Sequence, residues 1–251
     1  MLDPGELAKV AAYFGVSDDQ VRRDHLISHL LAALSEHVKD DVVFFGGTAL
    51  ARTYLPEGRL SEDIDLLARG ERSRVAATIE SCFARVAPRV FGRLTWVTPL
   101  SKVSDVQHGI IRSGDGLTVR VQVLRFADYP NWETQRSQLV QRYADAPIAT
   151  LSTLTRPSAV AAKVVAWIHR HSPRDLYDLW ALGRIGAVDD EAAQVFARLG
   201  PAGGVPQPWM FDVPPTERAW TAELAAQTRL EVTAARALDE VRALWEAART
   251  P

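Results

Sequence analysis

A four-residue apolar run, Val42–Phe45, ends directly on two glycines, Gly46 and Gly47, and soon afterwards the chain runs Arg59-Leu60-Ser61-Glu62-Asp63-Ile64-Asp65-Leu66-Leu67. No other stretch limits the possible folds as strongly. A short, continuous, β-prone run bounded by glycines predicts a buried strand rather than a helix. With no side chains, Gly46 and Gly47 let the backbone approach a ligand closely. A helix beginning near Thr48 aims its free N–H groups and positive dipole end at the same place, a seat suited to a triphosphate. In a strand covering Ile64 to Leu67, Asp63 and Asp65 project from one face while Ile64 and Leu66 point into the core. Magnesium takes one or two protein carboxylates and completes its shell with water and phosphate oxygens, so this spacing suits a Mg2+–nucleotide site. Such an ion aligns an attacking hydroxyl and screens charge on the phosphate.

Either half alone has an ordinary explanation, a tight turn for the glycines and a solvated strand end for the aspartates. Joined through Arg59 and Ser61, they are far more specific. Gly-Gly-Thr-Ala-Leu-Ala-Arg followed by Arg-Leu-Ser-Glu-Asp-Ile-Asp-Leu resembles the first motif of the AbiEii/AbiGii toxin nucleotidyltransferases, a branch of the DNA polymerase β-like superfamily. A second half of the resemblance lies in Ala162-Lys163 and in Arg174-Asp175-Leu176-Tyr177-Asp178-Leu179, and the whole spans about residues 40–185. It implies transfer of a nucleoside monophosphate from a nucleoside triphosphate to an acceptor hydroxyl. Asp63 and Asp65 would hold Mg2+, and Gly46, Gly47, Thr48, Arg59 and Ser61 would organise the phosphates. Lys163 would neutralise developing charge, and Asp175 would orient or deprotonate the acceptor. The resemblance further implies that the acceptor is the 3′ end of tRNA, that the protein is a toxin stopping translation and growth, and that its partner is a separately encoded antitoxin protein. A phosphate added at Ser61 would place negative charge in the phosphate cleft and repel the nucleotide.

The remaining chain bounds the class. At 251 residues it fits one large domain or two small ones, and 47% hydrophobic with 24% charged residues is ordinary for a soluble globular protein. The single cysteine, Cys82, excludes an internal disulfide framework and suits a reducing cytosol. With no cationic leader ahead of an apolar core and no run long enough to span a bilayer, a cytoplasmic protein with no membrane partner is expected. Net charge is -2, which argues against indiscriminate nucleic-acid binding. It is unevenly spread: residues 102–174 hold ten basic side chains against five acidic ones, either a footprint for a polyanion or a chance clustering on a solvated surface.

Along the chain, residues 20–39 carry a helical rhythm that leads into the first strand, and 72–87 carry a second. His25, His29 and His37 fall on the first of these helices, but with no cysteine or matching carboxylate pattern nearby in sequence they do not amount to a zinc site. Strands are expected over 90–97 and 117–124, with Ser113-Gly114-Asp115-Gly116 as the hairpin turn before the latter. A helix is expected over 133–143, with Arg136 and Arg142 exposed. Pro157 suits the first turn of a helix running to about His169, on which Lys163, Trp167 and Arg170 share a face. That face either holds phosphate and stacks a base or is a tryptophan packed in the core. Asp175, in the first turn of the next helix, has a structural alternative in favouring the helix dipole. Residues 201–215, rich in proline, form an irregular connection before two helices at 216–227 and 231–248.

One departure from the superfamily pattern stands out. Where many polymerase β-like enzymes place a third carboxylate, the polar face of the 117–124 strand offers Thr118, Arg120 and Gln122. The expected architecture is α+β and two-lobed: a nucleotidyltransferase lobe over 1–150 with a mixed sheet, and a mostly helical lobe over 151–251, with the site between them. Without the third carboxylate, two rival functions stay open: a nucleotide- or RNA-binding module without catalysis, and a kinase-like phosphotransferase.

Overall fold

The computed structural model describes residues 1–248, so the last three residues of the expected C-terminal lobe lie outside the described residues. Its centre is a seven-stranded mixed sheet. In chain order the strands are β1 (Val42–Phe45), β2 (Asp63–Ala68), β3 (Thr95–Thr98), β4 (Gly109–Arg112), β5 (Thr118–Arg125), β6 (Thr134–Gln138) and β7 (Thr150–Leu154). Across the sheet they run β3-β4-β5-β2-β1-β7-β6. β1 pairs antiparallel with β2 and parallel with β7, and β2 pairs parallel with β5. The two central strands are therefore the ones that carry the glycine turn and the aspartates.

Among the described residues ten α-helices surround the sheet: α1 (Pro4–Phe14), α2 (Asp18–His37), α3 (Gly46–Arg52), α4 (Arg72–Phe83), α5 (Pro88–Phe91), α6 (Arg156–Arg170), α7 (Pro173–Arg184), α8 (Asp190–Leu199), α9 (Glu217–Leu224) and α10 (Ala234–Ala247). Short-range chemistry sets many of their ends. Ser17, Asp189, Thr216 and Thr233 each accept a hydrogen bond from an amide in the first turn of the helix they precede. α6 stops where His171 turns left-handed at φ 48°, and Pro173 then sits in the first turn of α7.

The alternation along each strand divides the apolar side chains between two cores. Val42, Phe44, Ile64, Leu66, Val119, Val121 and Val123 pack with α2 and α4 on one face. Val43, Leu67, Leu124 and Leu154 face the other way, onto the core built by α6, α7 and α10. Asp63 and Asp65 share the parity of Leu67, so they open toward the second layer while Ile64 and Leu66 are fully buried in the first.

Most elements match the expectation and several do not. Residues 133–143 are not helical: Thr134–Gln138 is the edge strand β6, hydrogen-bonded to β7. Its polar side chains give neither a helical nor an alternating apolar signal, and the partner strand supplies its order. The expected strand at 90–97 is a short helix, α5, followed by β3. α1, α8, β4 and β7 also form where no firm sequence pattern predicts them. Arg142, expected exposed, is folded inward and donates to the carbonyls of Ala51 and Pro56. No helix among the described residues is long and apolar enough to cross a membrane.

Candidate active site

Gly46 makes the strand-to-helix turn possible. Its φ of +80° lies in the left-handed region that L side chains rarely adopt. A Cβ placed on it would lie 2.5 Å from Asp65 Oδ2, and one on Gly47 would collide with the Arg59 guanidinium. The absence of both side chains lets the turn, the aspartates and Arg59 meet. All of them line a cavity of about 460 Å³ between the sheet and α6.

On β2, Asp63 stands opposite Arg120 of β5 and Asp65 opposite Gln122. Arg120 donates to both oxygens of Asp63, at 2.7 and 2.9 Å. The Asp65 carboxylate has no hydrogen-bond or ion-pair partner among the described residues. Burial, and then repulsion from Asp63, pushes it up to about 6 despite the nearby cations Lys163, Arg170 and Arg120. A half-buried carboxylate without a partner, one strand step from a second carboxylate, is an oxygen donor set that suits a hard divalent cation. The residues present thus fit Mg2+.

α6 and α7 supply the facing wall. Lys163, nearly buried, lies 2.8 Å from Asp178 Oδ2 and 3.0 Å from Asp175 Oδ1. Burial alone would lower the Lys163 pKa, but Asp178 and Asp175 outweigh it and raise it, so the side chain stays charged. Arg170 grips the fully buried Asp175 from the other side, at 2.5 and 2.8 Å. Against its own burial, Lys163 and Arg170 hold the Asp175 carboxyl far below the usual carboxylate range. Asp175 does lie in the first turn of α7, yet its oxygens are turned to α6 and the start of α7 has no side-chain cap. The dipole explanation therefore does not account for where its carboxylate points.

Arg59 connects the two layers. Its Nε and Nη2 donate to Asp178 at 2.8 and 2.9 Å, and Nη1 donates to Gln227 Oε1 at 2.6 Å. Below it the hydroxyls of Tyr177 and Thr228 donate to the Gly58 carbonyl, and the Gln227 carbonyl accepts from the Leu60 amide. The Arg59-Leu60-Ser61 segment is thus held by residues from the C-terminal half of the chain.

The structure brings Gly46, Gly47, Arg59, Ser61, Asp63, Asp65, Lys163 and Asp175 to one cavity. Thr48 is the exception: it is buried, and its hydroxyl donates to the Asp63 carbonyl, so it braces β2 rather than facing a phosphate. Trp167 is no base-stacking platform; it is fully buried and its indole N–H donates to the Met210 carbonyl. Sequence reasoning does not reach His108, Tyr54, Tyr129 or Trp132, which also line the cavity. The aromatic cluster Tyr129-Pro130-Asn131-Trp132, just past β5, was the available signal for two of them. The third carboxylate is absent here as well: Asp128 lies in the turn after β5 and does not line the cavity.

Residues 29–251 match the model of a family described as the nucleotidyl transferase AbiEii toxin, type IV toxin–antitoxin system. Among solved structures, the fold is similar to MenT4, a nucleotidyltransferase toxin from Mycobacterium tuberculosis, at 21% identity and a TM-score of 0.72, covering 98% of this chain and 89% of that one. It is also similar to a protein from H. pylori described as a nucleotidyltransferase, at 14% identity and a TM-score of 0.56, covering 93% and 96%. At these identities the likeness speaks for the fold. No curated protein matches the sequence.

Proposed function

Because the chain belongs to the AbiEii nucleotidyltransferase toxin family of type IV toxin–antitoxin systems, we propose that it transfers a nucleoside monophosphate from a nucleoside triphosphate to an acceptor hydroxyl at the 3′ end of tRNA. In this reaction the acceptor oxygen bonds to the α-phosphorus, the bond from the α-phosphorus to the α–β bridging oxygen breaks, pyrophosphate leaves, and the hydroxyl proton is released to water. The observation that carries the proposal is the arrangement across the cavity: two carboxylates on β2 face Lys163 and Arg170 on α6, with a side-chain-free turn at Gly46 and Gly47 beside them. Each wall pairs acid with cation, Arg120 with Asp63 on the sheet and Asp175 with Lys163 and Arg170 on the helices, and the carboxylate without a partner, Asp65, opens between them as a Mg2+–triphosphate requires.

Asp63 and Asp65 would hold Mg2+, which when bound would align the acceptor oxygen and screen the phosphate charge. Gly46 and Gly47 leave room for phosphate oxygens, with Ser61 beside them. Lys163 and Arg170 stabilise the charge that develops as pyrophosphate leaves. A carboxylate held as far down as Asp175 is a weak proton acceptor, which favours orienting Lys163 and Arg170 over deprotonating the acceptor. Arg59 ties the first motif to Asp178, so its part in phosphate binding is to fix the turn. Tyr54, Tyr129 and Trp132 line the more apolar part of the cavity and suit a nucleobase. The lobe of residues 1–150 would carry the metal and turn, and that of 151–251 the cations.

Type IV membership also implies an antitoxin as partner. The test is to incubate the protein with total RNA and each of the four α-labelled nucleotides, with and without Mg2+. Label appearing on tRNA only with Mg2+, and lost in Asp65→Ala, is the expected result. Saturable nucleotide binding without pyrophosphate release would instead make the cleft a binding module. Movement of a terminal phosphate would make the protein a kinase-like phosphotransferase. Undiminished transfer by Asp65→Ala would overturn the metal assignment.

A further inference from the structure

Away from the cleft, α2 carries a cluster that the transfer reaction does not use. His25 and His29 lie one turn apart and are buried, at 2% and 7% exposure. The segment linking β6 to β7 brings Asp145 against them across well over a hundred residues of sequence. His25 Nε2 is 2.8 Å from Asp145 Oδ1 and 3.3 Å from His29 Nε2, and His29 Nε2 is 3.7 Å from the same Oδ1. These are the only three potential metal ligands that converge in this way among the described residues. His37 does not join them. The missing element in the sequence was the carboxylate, and only folding supplies it.

The triangle has the size of one face of a zinc tetrahedron. With metal–ligand bonds of about 2.0–2.1 Å, tetrahedral geometry sets ligand–ligand edges of about 3.3–3.4 Å. Hydrogen bonding accounts for the cluster less well. A proton on His25 Nε2 can point at Asp145 or at His29, and one proton does not serve all three atoms. If it serves Asp145, a proton on His29 Nε2 can reach the same oxygen only over 3.7 Å, longer than a hydrogen bond, with the two N–H groups 3.3 Å apart. A divalent cation accepts all three lone pairs at once.

The surroundings suit a structural ion. Phe91 packs 5.1 Å from each imidazole and Tyr143 5.0 Å from His25, fixing the rings. Tyr143 donates to Asp24, and Asp24 also accepts from Arg52 of α3, so the cluster adjoins the contacts that anchor the helix beginning at Gly46. Asp145 Oδ2 pairs with the Met1 amino group at 2.6 Å, leaving Oδ1 for the ion. Asp145 is 24% exposed, so one side stays open for a water as fourth ligand. Two imidazoles and one carboxylate favour zinc over magnesium, which prefers all-oxygen shells.

We propose that His25, His29 and Asp145 form a structural site for a divalent transition-metal ion, best fitted by Zn2+, separate from the Asp63–Asp65 cleft. The test uses the full chain, stripped with a chelator and then given one equivalent of Zn2+ or Co2+. Expected are one zinc per chain by mass spectrometry of the metal, a melting temperature raised by several degrees, and the visible absorption of four-coordinate cobalt. His29→Gln and Asp145→Asn should each weaken zinc binding at least tenfold, while Asp63→Asn/Asp65→Asn retains it and excess Mg2+ does not displace it. A wild-type chain that holds no zinc at micromolar free metal overturns the proposal. So does six-coordinate cobalt, or zinc lost from the Asp63→Asn/Asp65→Asn chain instead. The cobalt spectrum is read on the wild-type protein, so it decides even if a ligand variant fails to fold.

Discussion

Arg120 donates to both carboxylate oxygens of Asp63, at 2.7 and 2.9 Å, from the position directly across the parallel β2–β5 ladder. One member of the carboxylate pair is thereby neutralised, and the other, Asp65, is left without a partner among the described residues. Asp63 is thereby fixed in orientation, because a bidentate pair constrains the carboxylate plane. The same contact weakens the field that attracts a cation.

Removing Arg120 should separate those two effects. Arg120→Ala is expected to bind Mn2+ several-fold more tightly, since a unit positive charge beside the ligands is lost, yet to transfer nucleotide at least tenfold more slowly because Asp63 is no longer held. Calorimetric titration with Mn2+, run beside the labelled-nucleotide assay, checks both. Weaker Mn2+ binding would count against competition between Arg120 and the ion.

Gly46 tolerates no side chain. Gly46→Ala combines a positive φ with a Cβ 2.5 Å from Asp65 Oδ2, and should cost at least 1–2 kcal/mol of stability. Transfer should fall further than stability, since the side chain displaced is Asp65 itself. Thermal melts and steady-state kinetics on the folded fraction test this.

Arg59 and Asp178 clamp the first motif to α7. Arg59→Ala leaves a buried aspartate with Lys163 as its remaining ion-pair partner, and breaking a buried pair in this way costs about 3–5 kcal/mol. For a chain of this size that lowers the melting temperature by roughly 10 °C. Arg59→Lys should recover only part of the loss, because an ammonium cannot reproduce the bidentate contact. Scanning calorimetry of the three proteins is the measurement.

The Lys163–Asp175–Arg170 cluster sets an acid limit. Burial would raise the pKa of Asp175 and of Asp178, but Lys163 with Arg170, and Arg59 with Lys163, outweigh it, and both carboxyls lie below their unfolded values. A depressed carboxyl contributes stability that is complete above the unfolded pKa and is lost as pH falls through the folded one. Stability should therefore drop from about pH 4 downward as Asp175 and Asp178 take up protons. Melting temperature measured from pH 7 to pH 2 should fall less steeply in Asp175→Asn.

How much of this was legible in the sequence follows from how far apart the interacting residues lie. The strand, the glycine turn, the one-face spacing of Asp63 and Asp65, and the α6–α7 corner are set by neighbours a few residues away, through backbone conformation and the two-residue period of a strand. The sequence alone determined those, and with them the identity of the cleft. The edge strand β6 gave no pattern, because its order comes from β7. The partners of Asp63, Arg59 and His25 were equally hidden: Arg120, Asp178 and Asp145 lie 57, 119 and 120 residues away. Only the tertiary structure decided that Arg120 pairs with Asp63, that Arg59 serves α7, and that two buried histidines meet a carboxylate. Burial makes such pairings strong by removing competing water, and burial is a property of the assembled layers rather than of any one segment.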